Sequence, residues 1–286
     1  MSSLSLPQHW KNLGLSVPSL HIVLGSGLSS AFDGFKLGSH WRARGEVSFG
    51  DVNGLVATTA PGHKGTYRYF QHLPSKQVVC FQVGRLHGYE GHGPRDAVKT
   101  VLLPRLAGTQ KFLLTNAAGG LKKEWSPGSL MIITDHVNMT GTNPLYGPNP
   151  VGPDDKPLGA RFPDMSEVYS LRMRAQLHST LLESPHKFNV VEGIYLGLSG
   201  PAYETPAEVR LYANWGFGAV GMSTVWEAMA LKHAGTELAG LSFISNLGCG
   251  LGSEPLSHEE VEREGKKIAV NLVDTLFLYA EKEMNS

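Results

Sequence analysis

The chain has 286 residues, of which 41% are hydrophobic and 17% charged, a composition typical of folded globular proteins. Lysine plus arginine and aspartate plus glutamate number 25 each, so the net charge gives no sign of binding to DNA, RNA or an anionic membrane. No apolar run approaches the roughly 18 residues that span a bilayer, and residues 1–17 lack the basic and apolar segments of a signal peptide.

The two cysteines indicate a reduced protein. Cys80 lies within an apolar run, Cys249 stands between two glycines, and the chain has no C-x-x-C motif. Structural disulfides are rare in cytosolic proteins, where thiols stay reduced. We therefore expect free thiols and a cytoplasmic location.

Short apolar runs bounded by glycine or polar residues predict strands along the whole chain. These runs cover residues 20–24, 55–60, 66–70, 78–81, 112–114, 130–134, 193–198, 219–222 and 238–244. The link between the second and third runs has a length suited to a hairpin. Residues 141–163 are rich in glycine and proline without periodicity, and a loop this long is usually functional or part of an interface.

Apolar residues at helical spacing predict helices between these strands. They cover residues 94–106, 170–182 and 223–233, with two more helices starting at Thr205 and Ser257. Pro206 and Glu208 complete a capping box with Thr205. The strand, helix and strand over residues 78–114 predict a parallel crossover unit. The fold class is therefore α/β, a single domain over residues 1–286 with a central mixed, twisted β-sheet flanked by helices.

Polar and small residues follow the predicted strands, at the positions where ligands bind in parallel sheets. They are Ser26, His63, Arg85, His87, Asn116, Ala117, Ala118, Tyr203, Glu204, Met222, Ser223 and Asn246. A forked arginine, an amide and open backbone N–H groups together suit an anion beside a polar organic ligand. Structural interpretations also exist, with Ser26 as a helix cap, Met222 as core and Glu204 as a surface carboxylate.

Three common catalytic motifs are absent from the sequence. There is no G-x-S-x-G nucleophile elbow, no H-E-x-x-H or paired Cys/His spacing for zinc, and no G-x-x-x-x-G-K-[ST] phosphate loop. The G-x-G after the first strand lacks the third glycine of a dinucleotide fingerprint, since Ser30 takes that place. We therefore expect no metal, no cofactor and a reaction in which a bound anion is the nucleophile.

In combination, these motifs resemble those of the trimeric purine nucleoside phosphorylases, relatives of methylthioadenosine phosphorylase. The resemblance extends from Gly25 to the last helix. It rests on Gly25-Ser26-Gly27-Leu28, Pro61-Gly62-His63-x-Gly65, Gly84-Arg85-Leu86-His87-x-Tyr89-Glu90-Gly91, Thr115-Asn116-Ala117-Ala118-Gly119-Gly120, Gly159-x-Arg161-Phe162-Pro163, Gly200-Pro201-x-Tyr203-Glu204-Thr205, Gly221-Met222-Ser223-Thr224, Asn246 and His258-Glu259-Glu260-Val261. It implies a phosphorylase-like fold and phosphorolysis of the bond between ribose and purine, as in purine salvage, with inorganic phosphate as co-substrate.

The resemblance also implies roles for individual residues. Phosphate would be held by Ser26, His63, Arg85, His87, the backbone at Ala118, and Ser223. Ribose would be held by Tyr89, Met222 and His258, with Phe162 reaching the site of a neighbouring subunit in a homotrimer. Tyr203, Glu204 and Asn246 would bind the base, and the catalytic residues would be Asn246, His87 and Glu204.

Asn246 and Glu204 predict which base is used. During cleavage negative charge grows on the purine at N7 and at a 6-oxo group, and the Asn246 amide can donate to both. Relatives that use adenosine-type substrates carry an acidic residue at this place. Glu204 can accept from N1–H and from a 2-amino group, so we expect inosine, guanosine and their deoxy forms as substrates. His258, a polar partner for a 5′-hydroxyl, argues against a 5′-methylthio substrate.

Three functions other than phosphorolysis of 6-oxopurine nucleosides are considered. Trp226 stands where many relatives have proline, and Gly248-Cys249-Gly250 frees the loop after Asn246, so a phosphorylase with a shifted preference for xanthosine, adenosine or methylthioadenosine stays open. A nucleoside-binding protein without catalysis predicts loss of a phosphate-binding residue, and none is lost. A nucleoside hydrolase requires clustered aspartates for calcium, and the sequence has no such cluster.

Overall fold

A mixed β-sheet forms the centre of the protein. The structure, a computed structural model, describes residues 3–28, 30–33, 35–59, 64–152, 154–251 and 258–285, and for His258 only its place in a helix. The strands are β1 Leu20–Leu24, β2 Trp41–Ser48, β3 Thr66–His72, β4 Val78–Val83, β5 Lys111–Gly120, β6 Leu130–Asn138, β7 Val190–Gly197, β8 Ala219–Gly221 and β9 Glu237–Leu247. The helices are α1 Leu6–Asn12, α2 Pro94–Ala97, α3 Lys99–Leu106, α4 Leu171–Glu183, α5 Pro206–Asn214, α6 Val225–His233 and α7 His258–Met284, with 3-10 turns at Phe49–Asp51 and Gly88–Glu90.

Strand β5 joins the two halves of the sheet. In one half the strand order is β2-β3-β4-β1-β5. In the other half the order is β5-β8-β7-β6-β9, and β9 also pairs with β5, so these five strands form a closed ring. Strands β4, β1, β5 and β9 are parallel to their neighbours in this series. Their carboxyl ends therefore meet at one edge of the sheet, where ligands bind in such folds.

Two apolar layers cover the faces of the sheet. One contains residues of α4 and α7, including Leu177, Leu272 and Leu276, together with apolar side chains of β1 and β4. The other contains residues of α3 and α6, including Val101 and Leu231. The sheet with helices on both faces confirms the predicted α/β class. Within the part of the chain that the structure describes, no helix is both long and apolar enough for a membrane span.

Most predicted strands and helices are confirmed, but the hairpin before residue 66 is wrong. Residues 55–59 form no strand, and residue 60 lies outside the described residues. Strand β3 pairs instead with β4 and with β2, antiparallel in both cases. Strand β2 was not predicted because an edge strand need not contain an apolar run. The buried and exposed side chains of β2 alternate only weakly, and its pairing with β3 shifts in register between Ala43 and Gly45.

Two further predictions need correction. The helix over residues 94–106 is divided at Val98 into α2 and α3. Strands β4 and β5 have the parallel direction expected of a crossover unit, but β1 lies between them and pairs with both. Helix α1 was not predicted. The cap expected at Ser257 lies outside the described residues, whereas both cysteines, Cys80 and Cys249, carry free thiols.

The capping box of α5 is confirmed. The Thr205 hydroxyl accepts a hydrogen bond from the Glu208 backbone N–H at 3.3 Å, and the Glu208 carboxylate accepts one from the Thr205 backbone N–H at 2.8 Å. We expect Thr205→Ala to lower the free energy of unfolding by about 1 kcal/mol, because the first turn loses an acceptor. Urea denaturation should show this loss, and Thr205→Ser should show little of it; equal losses in both variants would contradict a capping role.

Candidate active site

A cleft with about 700 Å³ of empty space, partly open to solvent, lies at the carboxyl edge of the parallel strands. Ten of the predicted site residues line it: Ser26, Arg85, His87, Tyr89, Ala118, Tyr203, Glu204, Met222, Ser223 and Asn246. Of the other three, His63 lies outside the described residues and His258 is described only as the start of α7. Phe162 is 89% exposed and is not part of this lining.

Arg85 is buried at the floor of the cleft, with 1% of its surface exposed. Its Nη1 donates to Ser223 Oγ at 3.0 Å and its Nη2 to the Thr115 carbonyl at 2.7 Å. Its Nε lies 3.3 Å from Oε1 of Glu227, which is also buried. A buried charge requires such a partner. The guanidinium is thereby held in one orientation beside Ser223, a geometry suited to an anion.

Glu227 is a residue that the sequence analysis missed. Burial raises the pKa of its carboxyl group, and the charge of Arg85 opposes that rise. A signal was present in the sequence, since Glu227 is the single charged residue in the otherwise apolar run from Val225 to Leu231. A lone carboxylate on a buried helix face indicates an internal ionic partner.

Thr224 adopts a strained backbone conformation next to Ser223. Its φ is +73°, a region that β-branched residues rarely adopt. The Thr224 hydroxyl accepts a hydrogen bond from the Asn116 amide at 2.9 Å and lies 3.0 Å from the Ser223 hydroxyl. Strain of this kind concentrates at functional sites, where neighbouring contacts maintain it. Here these contacts fix the position of the Ser223 hydroxyl between two strand ends.

His87 is held by Glu90, which the sequence analysis also gave no role. Oε1 of Glu90 accepts from the His87 backbone N–H at 2.8 Å and lies 3.1 Å from His87 Nδ1, while Oε2 accepts from the Thr59 N–H at 2.7 Å. Burial alone would raise the pKa of Glu90, but hydrogen bonds from His87 and Thr59 lower it far below its ordinary value. Glu90 therefore stays ionised and anchors the His87 turn.

The chain approaches itself closely at Ser26. A Cβ at Gly25 would lie 2.7 Å from Asn116 Cα and 2.9 Å from the Thr115 carbonyl oxygen, so only glycine lets the turn after β1 pack onto β5. This contact places Ser26 in the cleft lining. Among the residues described after it, no helix begins before β2. The interpretation of Ser26 as a helix cap is therefore wrong.

A β-bulge in β9 places two consecutive polar side chains in the cleft. The pairing of β5 with β9 shifts by one residue, so that Ala118 opposes Ile244 and Gly119 opposes Asn246, with Ser245 as the extra residue. The Ser245 hydroxyl donates to Asn246 Oδ1 at 2.7 Å, and Asn246 Nδ2 donates to the Leu247 carbonyl at 3.0 Å. These bonds fix which end of the amide is the donor.

Glu204 lines the same cleft as Asn246 and is only 8% exposed. Burial raises the pKa of its carboxyl group, which excludes the interpretation of Glu204 as a solvated surface carboxylate. Tyr203 is 43% exposed beside it. Met222 lines the cleft and is half-buried, so it is not a simple core residue. Tyr89 stacks on His87 with ring centroids 4.6 Å apart, and burial raises its pKa to about 12.

Trp226 packs against the turn that follows His87. A second cavity, with about 370 Å³ of empty space, contains Trp226, Arg85 and Ser223 in its lining. The indole Nε1 donates to Thr140 Oγ1 at 2.9 Å, and a Cβ at Gly88 would lie 2.7 Å from the ring. The tryptophan therefore packs beneath the turn that carries His87, and α6 begins just before it at Val225.

Comparisons with known proteins agree with this architecture. A sequence profile described as Phosphorylase superfamily matches residues 38–277. Purine nucleoside phosphorylase 1 of Geobacillus stearothermophilus is 40% identical over 256 residues, covering 90% of this chain and 88% of that protein. The chain belongs to the purine nucleoside phosphorylase family. The bovine family member is 35% identical over 260 residues, covering 89% of this chain and 86% of that one.

A solved structure of the family extends the agreement to the fold. The crystal structure of Schistosoma mansoni purine nucleoside phosphorylase in complex with adenosine superposes with a TM-score of 0.79 at 27% identity. The match covers 97% of this chain and 95% of that one. The phosphorylase-like fold is thus confirmed. Among the described residues of the cleft, no three His, Cys, Asp or Glu side chains come close enough to share a metal ion.

Proposed function

We propose that the protein catalyses phosphorolysis of 6-oxopurine nucleosides such as inosine and guanosine, including their deoxy forms. Phosphate attacks the anomeric carbon as the bond to the purine nitrogen breaks, which gives ribose 1-phosphate and the free base. The observation that carries this proposal is the cleft itself, because the forked cation of Arg85 and the fixed Asn246 amide line the same space. No cofactor is needed, since phosphate is the nucleophile.

The proposed roles rest on the motifs shared with the family, and all of the residues concerned except His63 and His258 line the cleft. Ser26, His63, Arg85, His87, the Ala118 backbone and Ser223 bind phosphate, while Tyr89, Met222 and His258 bind the sugar. Tyr203, Glu204 and Asn246 bind the base. Among these residues we propose His87, Glu204 and Asn246 as the catalytic ones. Arg85 positions two phosphate oxygens, and its guanidinium is a strong donor because it is 1% exposed and already oriented.

Asn246 is proposed to stabilise the departing purine. The Ser245 hydroxyl holds Oδ1, and one amide N–H donates to the Leu247 carbonyl. The other N–H is left to face the charge that grows on the base. Donors already oriented toward developing charge lower a barrier without further reorganisation. Ionised Glu204 accepts from N1–H, a group that a 6-oxopurine has and a neutral 6-aminopurine lacks. The two side chains together favour the 6-oxo bases.

The decisive test is cleavage of inosine by the purified protein with and without phosphate. We expect hypoxanthine and ribose 1-phosphate only when phosphate is present, with guanosine used comparably and adenosine much less. Release of free ribose without phosphate would make the protein a hydrolase, and binding of inosine without turnover would make it a binding protein. Either result would overturn the proposal, and a preference for xanthosine or adenosine would overturn its specificity.

We expect Glu204→Gln to lower kcat/KM for inosine about tenfold, because a neutral amide oxygen replaces the charged acceptor for N1–H of the base. In the parent protein Glu204 has a raised pKa, so the carboxylate acceptor is present at high pH and is lost as pH falls through that value. KM for inosine at saturating phosphate should therefore rise on acidification. Glu204→Gln should lose this rise, and an unchanged pH profile in the variant would contradict the role.

We further propose that the protein is a cytoplasmic homotrimer of single-domain chains over residues 1–286. Phe162 is 89% exposed at the end of the long loop, and the Arg161 guanidinium lies 5.6 Å from its ring centroid. An aromatic ring this exposed suits contact with a second copy of the chain. We expect Phe162→Ala to raise KM for inosine without changing KM for phosphate, and light scattering should give a trimer mass. A monomer of full activity would contradict this assembly.

A further inference from the structure

A second group of ligand-type side chains lies far from the cleft. It consists of His40, just before β2, His72 at the end of β3, and Glu281 near the end of α7. Val261, near the start of α7, lines the cleft, and the 20 residues from there to Glu281 span roughly 30 Å of helix. The group is therefore separate from the catalytic residues and plays no part in the proposed reaction.

The three side chains meet at a distance suited to a metal ion. One ligand atom from each lies within 4.8 Å of the other two, and His72 Nε2 is 3.7 Å from Glu281 Oε1. Tetrahedral zinc, with ligands at about 2.0–2.1 Å, separates neighbouring ligand atoms by about 3.3 Å. The His72–Glu281 pair needs to close by only a few tenths of an ångström. His40 is exposed, so its ring can turn toward them at little cost.

Neighbouring groups orient two of the three side chains. Ser75 Oγ lies 2.9 Å from His72 Nδ1, which leaves Nε2 directed at Glu281. The Trp41 indole Nε1 donates to Glu281 Oε1 at 2.8 Å. Hydrogen bonds of this kind, to the far nitrogen of a histidine and to a carboxylate, are the usual support of metal ligands. His72 is also 7% exposed, so it is already held in place.

We propose that His40, His72 and Glu281 bind a Zn²⁺ ion, with water as the fourth ligand. Two imidazoles and one carboxylate form a donor set that binds zinc in preference to magnesium or calcium. The ion links the sheet edge at β2 and β3 to the last turns of α7, elements more than 200 residues apart in the chain. Its role is to stabilise this end of the protein, and this inference does not depend on the proposed activity.

The test is titration of chelator-treated protein with ZnCl₂ in phosphate-free buffer, followed by calorimetry and thermal unfolding. We expect one equivalent to bind and the Tm to rise by about 5 °C when free Zn²⁺ is a hundredfold above Kd. His40→Ala should weaken binding at least tenfold and, at the same free Zn²⁺, lose at least half of the rise in Tm. His40 is exposed, and its backbone carbonyl, which accepts from the Leu73 N–H at 2.7 Å, is kept in the variant, so the fold should be maintained.

His178→Ala is the matched control, because His178 is a partly exposed histidine on α4 outside the group. It should bind Zn²⁺ as the parent does. Glu281→Gln should also weaken binding, since it keeps an oxygen for Trp41 but loses the charge. Absence of Zn²⁺ binding by the parent would overturn the proposal, and so would His40→Ala with parental affinity, which would place the ion at other histidines.

Discussion

Arg85→Ala is expected to lower kcat/KM for phosphate by at least about a hundredfold, because two charged donors disappear from a buried floor. Steady-state kinetics at varied phosphate, with inosine saturating, would measure this loss. The variant should also be less stable, since Glu227 is left buried without its ion pair. Removing one partner of a buried pair costs about 3–5 kcal/mol of folding free energy.

A second variant separates the two effects of Arg85. In Arg85→Ala/Glu227→Gln the unpaired charge is gone, so stability should partly return while phosphate use stays lost. Arg172→Ala is a control outside the cleft lining, because Arg172 pairs at 2.8 Å with the buried carboxylate of Glu283, which keeps Lys111 at 3.3 Å in the variant. It should lower stability and leave KM for phosphate unchanged. Recovery of phosphate use in the double variant would show that Arg85 acts only through folding.

Asn246→Asp is expected to lower kcat/KM for inosine about a hundredfold and to raise cleavage of adenosine. An ionised aspartate repels the charge that develops on a 6-oxopurine, but it can accept from the amino group of adenine. The Ser245 hydroxyl can still donate to the new carboxylate, whereas the bond to the Leu247 carbonyl is lost unless the acid is protonated. Ratios of kcat/KM for the two nucleosides would measure the change.

Asn246→Ala distinguishes base reading from simple damage to the cleft. It removes donor and acceptor together, so both nucleosides should be cleaved less and their ratio should change little. If Asn246→Asp behaves like Asn246→Ala, the amide does not read the base. An unchanged preference in the aspartate variant would contradict the account of specificity.

Sequence reasoning predicted the elements whose burial follows a simple pattern. Strand β1 is buried at all five positions and was predicted with its observed bounds. The α5 capping box involves residues three apart, so its chemistry is visible in one short stretch. Strand β2 was not predicted, because much of an edge strand faces solvent and the charged residues of β2 interrupt any apolar run.

The sequence predicted that the site lies at the strand ends, but it did not predict the residues that hold the lining side chains in place. Glu227 pairs with Arg85 across 142 positions of sequence. The lone carboxylate in an apolar run indicates an ionic partner, but no local pattern identifies which residue that partner is. Glu90 was seen only as a motif residue, because its contacts to Thr58 and Thr59 come from a segment that was expected to be a strand. The bulge at Ser245 depends on pairing with β5 and is likewise invisible in β9 alone.

The closed ring of strands leaves the described part of the sheet with a single free margin, strand β2. The unpaired N–H and C=O groups of such an edge strand can pair with a strand of another molecule and so lead to aggregation. Here β2 carries the exposed side chains of Arg42 and Glu46, and its pairing with β3 shifts by one residue between Ala43 and Gly45. Copies of the chain are thus discouraged from continuing one another's sheet through β2.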